Sequence, residues 1–227
     1  MTEKLQHIAF IMDGNSTWAK SLNKPIMDGY LKGMQNLADT VLALKKHNVK
    51  YATFYVFSSE NWQRPSAWIS SFMQLAKRFI QHDQAIKRLL NAKARLNIIG
   101  DTTKLDNDLK DILNTYVEKT KNNEGINVQL AISYGGRDEI VRSARRILDQ
   151  RLDFTEDNFS KNMDTNGIPD PELIIRTSGK QRLSNFLLWQ ASYSELYFTD
   201  KKWPDFNEKD LAIAIDDYSK RKRTYGK

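Results

Sequence analysis

Short apolar runs alternate along this chain with longer stretches in which apolar residues recur every three or four positions. Residues 7–12 (HIAFIM), 51–57 (YATFYVF), 94–99, 126–133, 173–175 and 196–198 read as strands. Leu37, Val41 and Leu44 share one face of a helix over 36–46. The spacing predicts one long helix over 66–90 and another over 105–120, which stops near Asn122-Asn123-Glu124-Gly125. A third spans 137–150 with Ile140, Ala144, Ile147 and Leu148 inward. A short helix follows a Thr155 cap, with Asn158 at its third position, and 207–222 closes the chain as a helix. Strands that alternate with helices predict an α/β fold: one domain over 1–227, a largely parallel central sheet with helices on both faces.

Composition narrows the partners. Of the 227 residues, 40% are hydrophobic, enough for one substantial core, and none is cysteine, which removes disulfides and thiolate chemistry. The 35 Lys+Arg against 28 Asp+Glu give a formal charge of +7, which favours an anionic partner. The basic residues form no stripe, and zinc spacings and RNA-binding signatures are absent, so no nucleic-acid partner is expected. Charges interrupt every apolar run, and the first residues lack a signal-peptide pattern. A soluble or peripheral protein is expected.

In a parallel sheet, ligands bind beyond the carboxyl ends of the strands. Three such ends carry unusual polar sequence. After the first strand stands Asp13-Gly14-Asn15-Ser16-Thr17-Trp18. Glycine admits close approach of a ligand to the backbone, and a cation would reconcile Asp13 with a phosphate, magnesium being the hard ion that needs few protein ligands. Read alone, this segment is better described as a turn and helix cap. After the second strand stands Ser58-Ser59-Glu60-Asn61-Trp62-Gln63-Arg64. Asn61 can orient a proton acceptor or hold a phosphate, and Trp18 and Trp62 either wall an apolar ligand or pack in the core. After the fifth strand, Arg176, Arg182 and Ser184 suit a diphosphate clamp as well as a surface ion-pair set. Glu195, in the apolar run Tyr193–Phe198, needs a partner, either a metal or a salt bridge.

The runs HIAFIMDGN, TFYVFSSENWQRP, LNIIGD, ISYGGRDEIV and IPDPELIIRTSGKQRLSNFLLWQASYSELYFTDKKWPDF, with a basic ending YGK, cover nearly the whole chain in order. On these runs the chain resembles the cis-prenyltransferases of the undecaprenyl diphosphate synthase type. The resemblance implies condensation of isopentenyl diphosphate with an allylic diphosphate such as farnesyl diphosphate, a cis double bond at each addition, and a polyprenyl diphosphate product of the undecaprenyl lipid-carrier type. It implies magnesium held by Asp13 and Glu195, with Asp13 also engaging the diphosphate and Asn61 taking part in proton removal. Arg176, Arg182 and Ser184 are expected to hold isopentenyl diphosphate. Gly14, Asn15, Ser16, Thr17, Trp18, Ser58, Ser59, Glu60, Trp62 and Arg64 are expected to line the substrate site. A homodimer is implied, in the cytoplasm, touching the membrane surface through its lipid product. Ile69, Phe72, Met73, Leu75, Ala76 and Phe79 could wall an apolar tunnel, or simply pack in the core.

The departures from the family pattern are local. Ser16 and Thr17 stand where the family has Gly and Arg, and Ile26 and Tyr30 where it has Arg and His. The three lost bases belong to the allylic diphosphate pocket, and Lys20, Lys24 and Lys32 are near enough in sequence to replace them. Gln181, Trp68 and Thr224 also replace the family's usual His, Glu and Arg. Two alternatives follow: an irregular isoprenoid coupling enzyme of the same fold, or a non-catalytic partner subunit of a cis-prenyltransferase.

Overall fold

The computed structural model of the protein describes residues 5–224. In chain order the elements are β1 (His7–Ile11), α1 (Asn15–Ser21), α2 (Ile26–Lys46), β2 (Tyr51–Ser58), α3 (Ser66–His82), α4 (Gln84–Asn91), β3 (Arg95–Ile99), α5 (Asn107–Thr120), β4 (Asn127–Tyr134), α6 (Gly136–Asp149), α7 (Glu156–Asn162), β5 (Leu173–Arg176), β6 (Glu195–Phe198) and α8 (Glu208–Lys220). The six strands form one sheet in the order β3-β4-β2-β1-β5-β6, and every pairing is parallel. The α/β expectation holds.

Alternation along β1 shows why its sequence is apolar after His7. Ile8 and Phe10 point into a core shared with Val41 and Leu44 of α2 and Leu211 and Ala214 of α8. Ala9 and Ile11 point the other way, against Phe186 and Leu187. A strand covered on both faces can keep no polar side. Because all strands run one way, their carboxyl ends share one rim of the sheet, and β1 sits there between β2 and β5.

Several boundaries differ from the sequence reading. Helix α2 begins at Ile26, not at residue 36. Its first half contains Gly29 and Gly33, which break the apolar pattern but let α2 lie close on α1. A Cβ on Gly33 would stand 2.2 Å from Asn15 Oδ1. The expected helix over 66–90 is two helices, because Asp83 turns extended and its carboxylate accepts the Ala85 N–H at 2.8 Å, capping α4. On α6, Ile147 is fully buried but Leu148 is 61% exposed, so the inward face is narrower than expected. The last helix ends at Lys220, where Arg221 becomes extended. The Tyr-Gly-Lys ending lies outside the described residues. Among the described residues, no helix is long and apolar enough to cross a membrane.

Candidate active site

The loops that leave β1, β2 and β5 line one cleft of about 780 Å³. The strand order β2-β1-β5 makes them neighbours and puts Asp13 in the middle. Gly14 follows at φ 107°, and a Cβ there would meet Lys202 Cβ at 2.9 Å and Ser178 Cβ at 3.1 Å. Only glycine takes this turn without strain and lets the loops after β1, β5 and β6 close on one another. The Asp13 carbonyl accepts from Thr177 Oγ1 at 2.7 Å and from the Trp203 N–H at 2.9 Å, which fixes the loop from two further segments.

On the β5 side, Arg176 is 3% exposed. Its Nε and Nη2 donate to Asp13 Oδ2 at 3.0 and 2.6 Å, and Nη1 donates to Ser184 Oγ at 2.8 Å and to the Arg182 carbonyl. A buried guanidinium needs this saturation. Arg176 therefore aligns Asp13 and Ser184, while Arg182, exposed at the cleft wall, has no such internal partners. The loop is strained: Ser178, Ser184 and Asn185 have φ of 70°, 51° and 63°. Asn185 locks it by accepting the Gly136 and Arg137 N–H groups and donating to Glu60 Oε1 at 2.7 Å. Burial opposes ionisation of Glu60, but the bond from Asn185, with help from its own backbone, Ser58 and Ser59, holds its carboxyl below the usual range. Burial, reinforced by Glu60, pushes the Tyr55 phenol up, so it stays a donor to the Tyr134 and Ser184 carbonyls.

On the β2 side, Asn61 Oδ1 accepts the Ser58 N–H at 3.1 Å. The amide is thereby oriented, and Nδ2 is the atom it offers to the cleft. Arg64 lies 4.2 Å over the Trp68 ring and donates to Tyr30 Oη at 3.3 Å. Met34, Leu37, Val56 and Phe72 line both the cleft and an apolar cavity of about 90 Å³ beneath it, between α3, α5 and the sheet. Met73, Ala76 and Phe79 line that cavity as well, whereas Ile69 and Leu75 do not.

The expected site is largely assembled. Asp13, Gly14, Asn15, Ser16, Thr17, Ser58, Glu60, Asn61, Arg64, Arg176, Arg182 and Ser184 all line the cleft. Others stand apart from it. Trp18 donates to Asp205 at 2.7 Å, and Trp62 donates to Ser133 at 2.9 Å while packing on Phe57. Ser59 lies behind the wall, beside Gly135. Glu195 is not brought to Asp13. It pairs in register with Leu173, the first residue of β5, and so lies at the opposite rim from Arg176. There it binds Arg221 at 2.8 Å. Lys20, Lys24 and Lys32 do not line the cleft either; the lysine that does is Lys180, which the sequence reading passed over along with Asn185 and Met34. Only the Gly179-Lys180 pair after a strand offered a signal.

Among the described residues, no three His, Cys, Asp or Glu side chains gather as a metal centre. The donor set still fits magnesium of the kind that arrives with its substrate, held by one carboxylate and by phosphate oxygens. Asp13 would supply that carboxylate: Oδ2 is engaged by Arg176, and among the described residues Oδ1 accepts no hydrogen bond.

The family model described as "Putative undecaprenyl diphosphate synthase" matches residues 11–226. The isoprenyl transferase of Brucella suis is 45% identical over 228 residues, covering 97% of this chain and 89% of its own. The structure of lavandulyl diphosphate synthase from Lavandula x intermedia, in complex with dimethylallyl diphosphate, superimposes with a TM-score of 0.92 at 31% identity, covering 99% of each chain. A probable undecaprenyl diphosphate synthase from Campylobacter jejuni superimposes with a TM-score of 0.85 at 33% identity, covering 99% of this chain and 100% of its own.

Proposed function

Because this chain belongs to the isoprenyl transferase (cis-prenyltransferase) family, we propose that it joins isopentenyl diphosphate to an allylic diphosphate in the cleft around Asp13. Transfer of isoprenyl groups is the activity of the family. The observation that carries the assignment to this cleft is Asp13 set between the arginines of two neighbouring strand ends, Arg64 and Arg176/Arg182, above an apolar cavity.

In the reaction, the allylic C–O bond breaks and diphosphate leaves. The isopentenyl double bond attacks the allylic carbon, a C–C bond forms, and a proton is lost from the isopentenyl unit. Arg182 and Ser184 hold the isopentenyl diphosphate, and Arg176 keeps Ser184 and Asp13 aligned. Asp13 would hold magnesium together with substrate phosphate oxygens, and the ion would supply charge stabilisation for the leaving diphosphate. Asn61 is a positioning donor: with Oδ1 taken by Ser58, it holds a phosphate oxygen through Nδ2, and the proton passes to a diphosphate oxygen instead of to Asn61. Glu195 has no part in this within one chain. The exposed apolar residues Val141 and Leu148 of α6, and Leu196 on the open β6 edge, support a homodimer.

A second reading concerns the product. An apolar cavity of about 150 Å³ holds one benzene ring. The cavity here, about 90 Å³, suits on the order of one five-carbon group. Elongation to a product of the undecaprenyl type requires the cavity to widen as the tail grows. Joining two short units, regularly or irregularly, does not, and the likeness to lavandulyl diphosphate synthase favours it.

The test is incorporation of labelled isopentenyl diphosphate with magnesium and dimethylallyl, geranyl or farnesyl diphosphate, with products analysed by mass and double-bond geometry. No turnover with any donor, and none with dimethylallyl diphosphate alone, overturns the catalytic readings and leaves the partner-subunit reading.

A further inference from the structure

Glu60 is out of keeping with its surroundings. It lines a cleft walled by Arg64, Lys180 and Arg182, where a bare carboxylate would repel the anions those cations attract. Its charge is engaged within the protein instead: Oε1 accepts from Asn185 Nδ2 at 2.7 Å. Burial works against ionisation of Glu60, but this bond, with help from its own backbone, Ser58 and Ser59, keeps it charged. Asn185 has φ 63°, a left-handed conformation that asparagine tolerates better than most residues. Its Oδ1 accepts the Arg137 N–H at 2.9 Å, and its carbonyl accepts the Gly136 N–H at 2.7 Å. Only the amide oxygen can meet a backbone N–H, so Nδ2 must face Glu60. Room for that comes from Gly135. Its φ of −155° is extended backbone that any residue adopts, yet a Cβ there would stand 2.7 Å from Asn185 Nδ2 and closer still to Ser59 Oγ.

The bond joins the neighbours of two residues that face the cleft. Ser184, whose Oγ accepts from Arg176 at 2.8 Å, directly precedes Asn185, and Asn61, whose Oδ1 accepts the Ser58 N–H, directly follows Glu60. We propose that Asn185 is a positioning residue which, through Glu60, fixes the span between the Ser184 and Asn61 sides of the cleft, so that isopentenyl diphosphate meets both at once. Glu60 is then the far end of a strut and not a ligand. The two loops leave β5 and β2, which β1 separates in the sheet, so the sheet's own ladder does not set their spacing beyond the strand ends. A substrate held by its diphosphate on one loop and deprotonated toward the other depends on that spacing. The role in the reaction rests on the isoprenyl-transfer reading; the strut itself does not.

The experiment is a swap. Asn185→Asp keeps the acceptor for the Arg137 N–H but sets a second carboxylate against Glu60. Adding Glu60→Gln restores a donor and an acceptor with the direction reversed. In steady-state assays Asn185→Asp should lower kcat/KM for isopentenyl diphosphate by about tenfold, with a raised KM, while the donor KM moves by less than about twofold. The double variant should recover most of that loss, although Glu60→Gln alone also weakens turnover. Losses that simply multiply in the double variant, or a donor KM that rises with the other, overturn the proposal. Gly135→Ala does not touch the cleft lining and changes no charge, but it crowds Nδ2. It should give the same KM pattern with folding intact by circular dichroism, and a normal isopentenyl diphosphate KM there overturns the strut even if Asn185→Asp fails to fold. If wild type turns over no donor, the reaction reading fails. The strut then stands on calorimetric binding of isopentenyl diphosphate that weakens in Asn185→Asp and recovers in the double variant. Equal binding by the three proteins, or none by wild type, overturns it.

Discussion

Arg176 reaches Asp13 through two nitrogens, Nε at 3.0 Å and Nη2 at 2.6 Å, both on the same carboxylate oxygen. The side chain of Arg176 is 4% exposed and that of Asp13 is 40% exposed, so the pair joins the buried floor of the cleft to its open mouth. Asp13 thereby has two tasks that need not fail together. Replacing it by Ala should reduce isoprenyl transfer to background. It should also cost about 1–3 kcal/mol of stability, less than a fully buried pair because water reaches the vacated position. Incorporation assays and thermal denaturation measure the two effects separately. An unchanged melting temperature would mean that Arg176 is solvated from the cleft without Asp13.

Asn61→Asp is the sharper probe of the β2 side. An aspartate keeps the acceptor that binds the Ser58 N–H, so the turn should survive. It loses the Nδ2 donor and puts a negative charge beside the bound diphosphates. Turnover should fall by at least about a hundredfold, with the loss of a charge-assisted bond and added repulsion acting together. Folding should be unaltered by circular dichroism. A variant with near-normal turnover would remove Asn61 from the reaction.

Val56 stands at the neck between the cleft and the apolar cavity. Val56→Ala widens the neck at a cost of about 1.5 kcal/mol for two buried methylene equivalents. Product mass should move toward longer chains when isopentenyl diphosphate is in excess. An unchanged product distribution would place the limit on length elsewhere in the wall.

His7, at the start of β1, lies 2.6 Å from the Pro169 carbonyl through Nδ1 and 2.8 Å from Thr53 Oγ1 through Nε2. Burial lowers its imidazole from the ordinary 6.5 to about 4, although the bond to Pro169 opposes the shift. Between those two values the unfolded chain binds a proton at His7 and the folded one does not. Stability therefore falls as pH drops through this window, by at most about 3 kcal/mol from this residue. The His7 ring resonances should stay constant from about pH 7 to about pH 5. Protonation within that range would contradict the depressed value.

Strands were legible because their cause is local. Between their polar ends, His7 and Arg176, IAFI and LII are apolar without interruption, and a strand buried on both faces requires that. The Thr155 cap was legible for the same reason: its hydroxyl accepts the Asn158 N–H at 3.1 Å, three residues on. The break at Asp83 was not, because it depends on a cap set in competition with an apolar pattern that continues through it. The early start of α2 at Ile26 was hidden by two glycines whose purpose is contact with α1.

By itself, then, the sequence determined the alternation of strands and helices, the three polar strand ends, and through their motifs the family. These follow from periodicity and from residue order, which the chain carries directly. Tertiary structure alone decided which side chains meet. It spent Arg176 on Asp13 and Ser184, left Arg64 open over Trp68, and made Tyr30 a hydrogen-bond hub instead of a missing base. It also set Glu195 at the far rim with Arg221. The physical reason is that the deciding contacts, Arg176 with Asp13, Arg64 with Tyr30 and Arg221 with Glu195, join residues 163, 34 and 26 positions apart. Their distances depend on strand order and on how buried charges find partners, and neither is encoded in any local stretch of sequence.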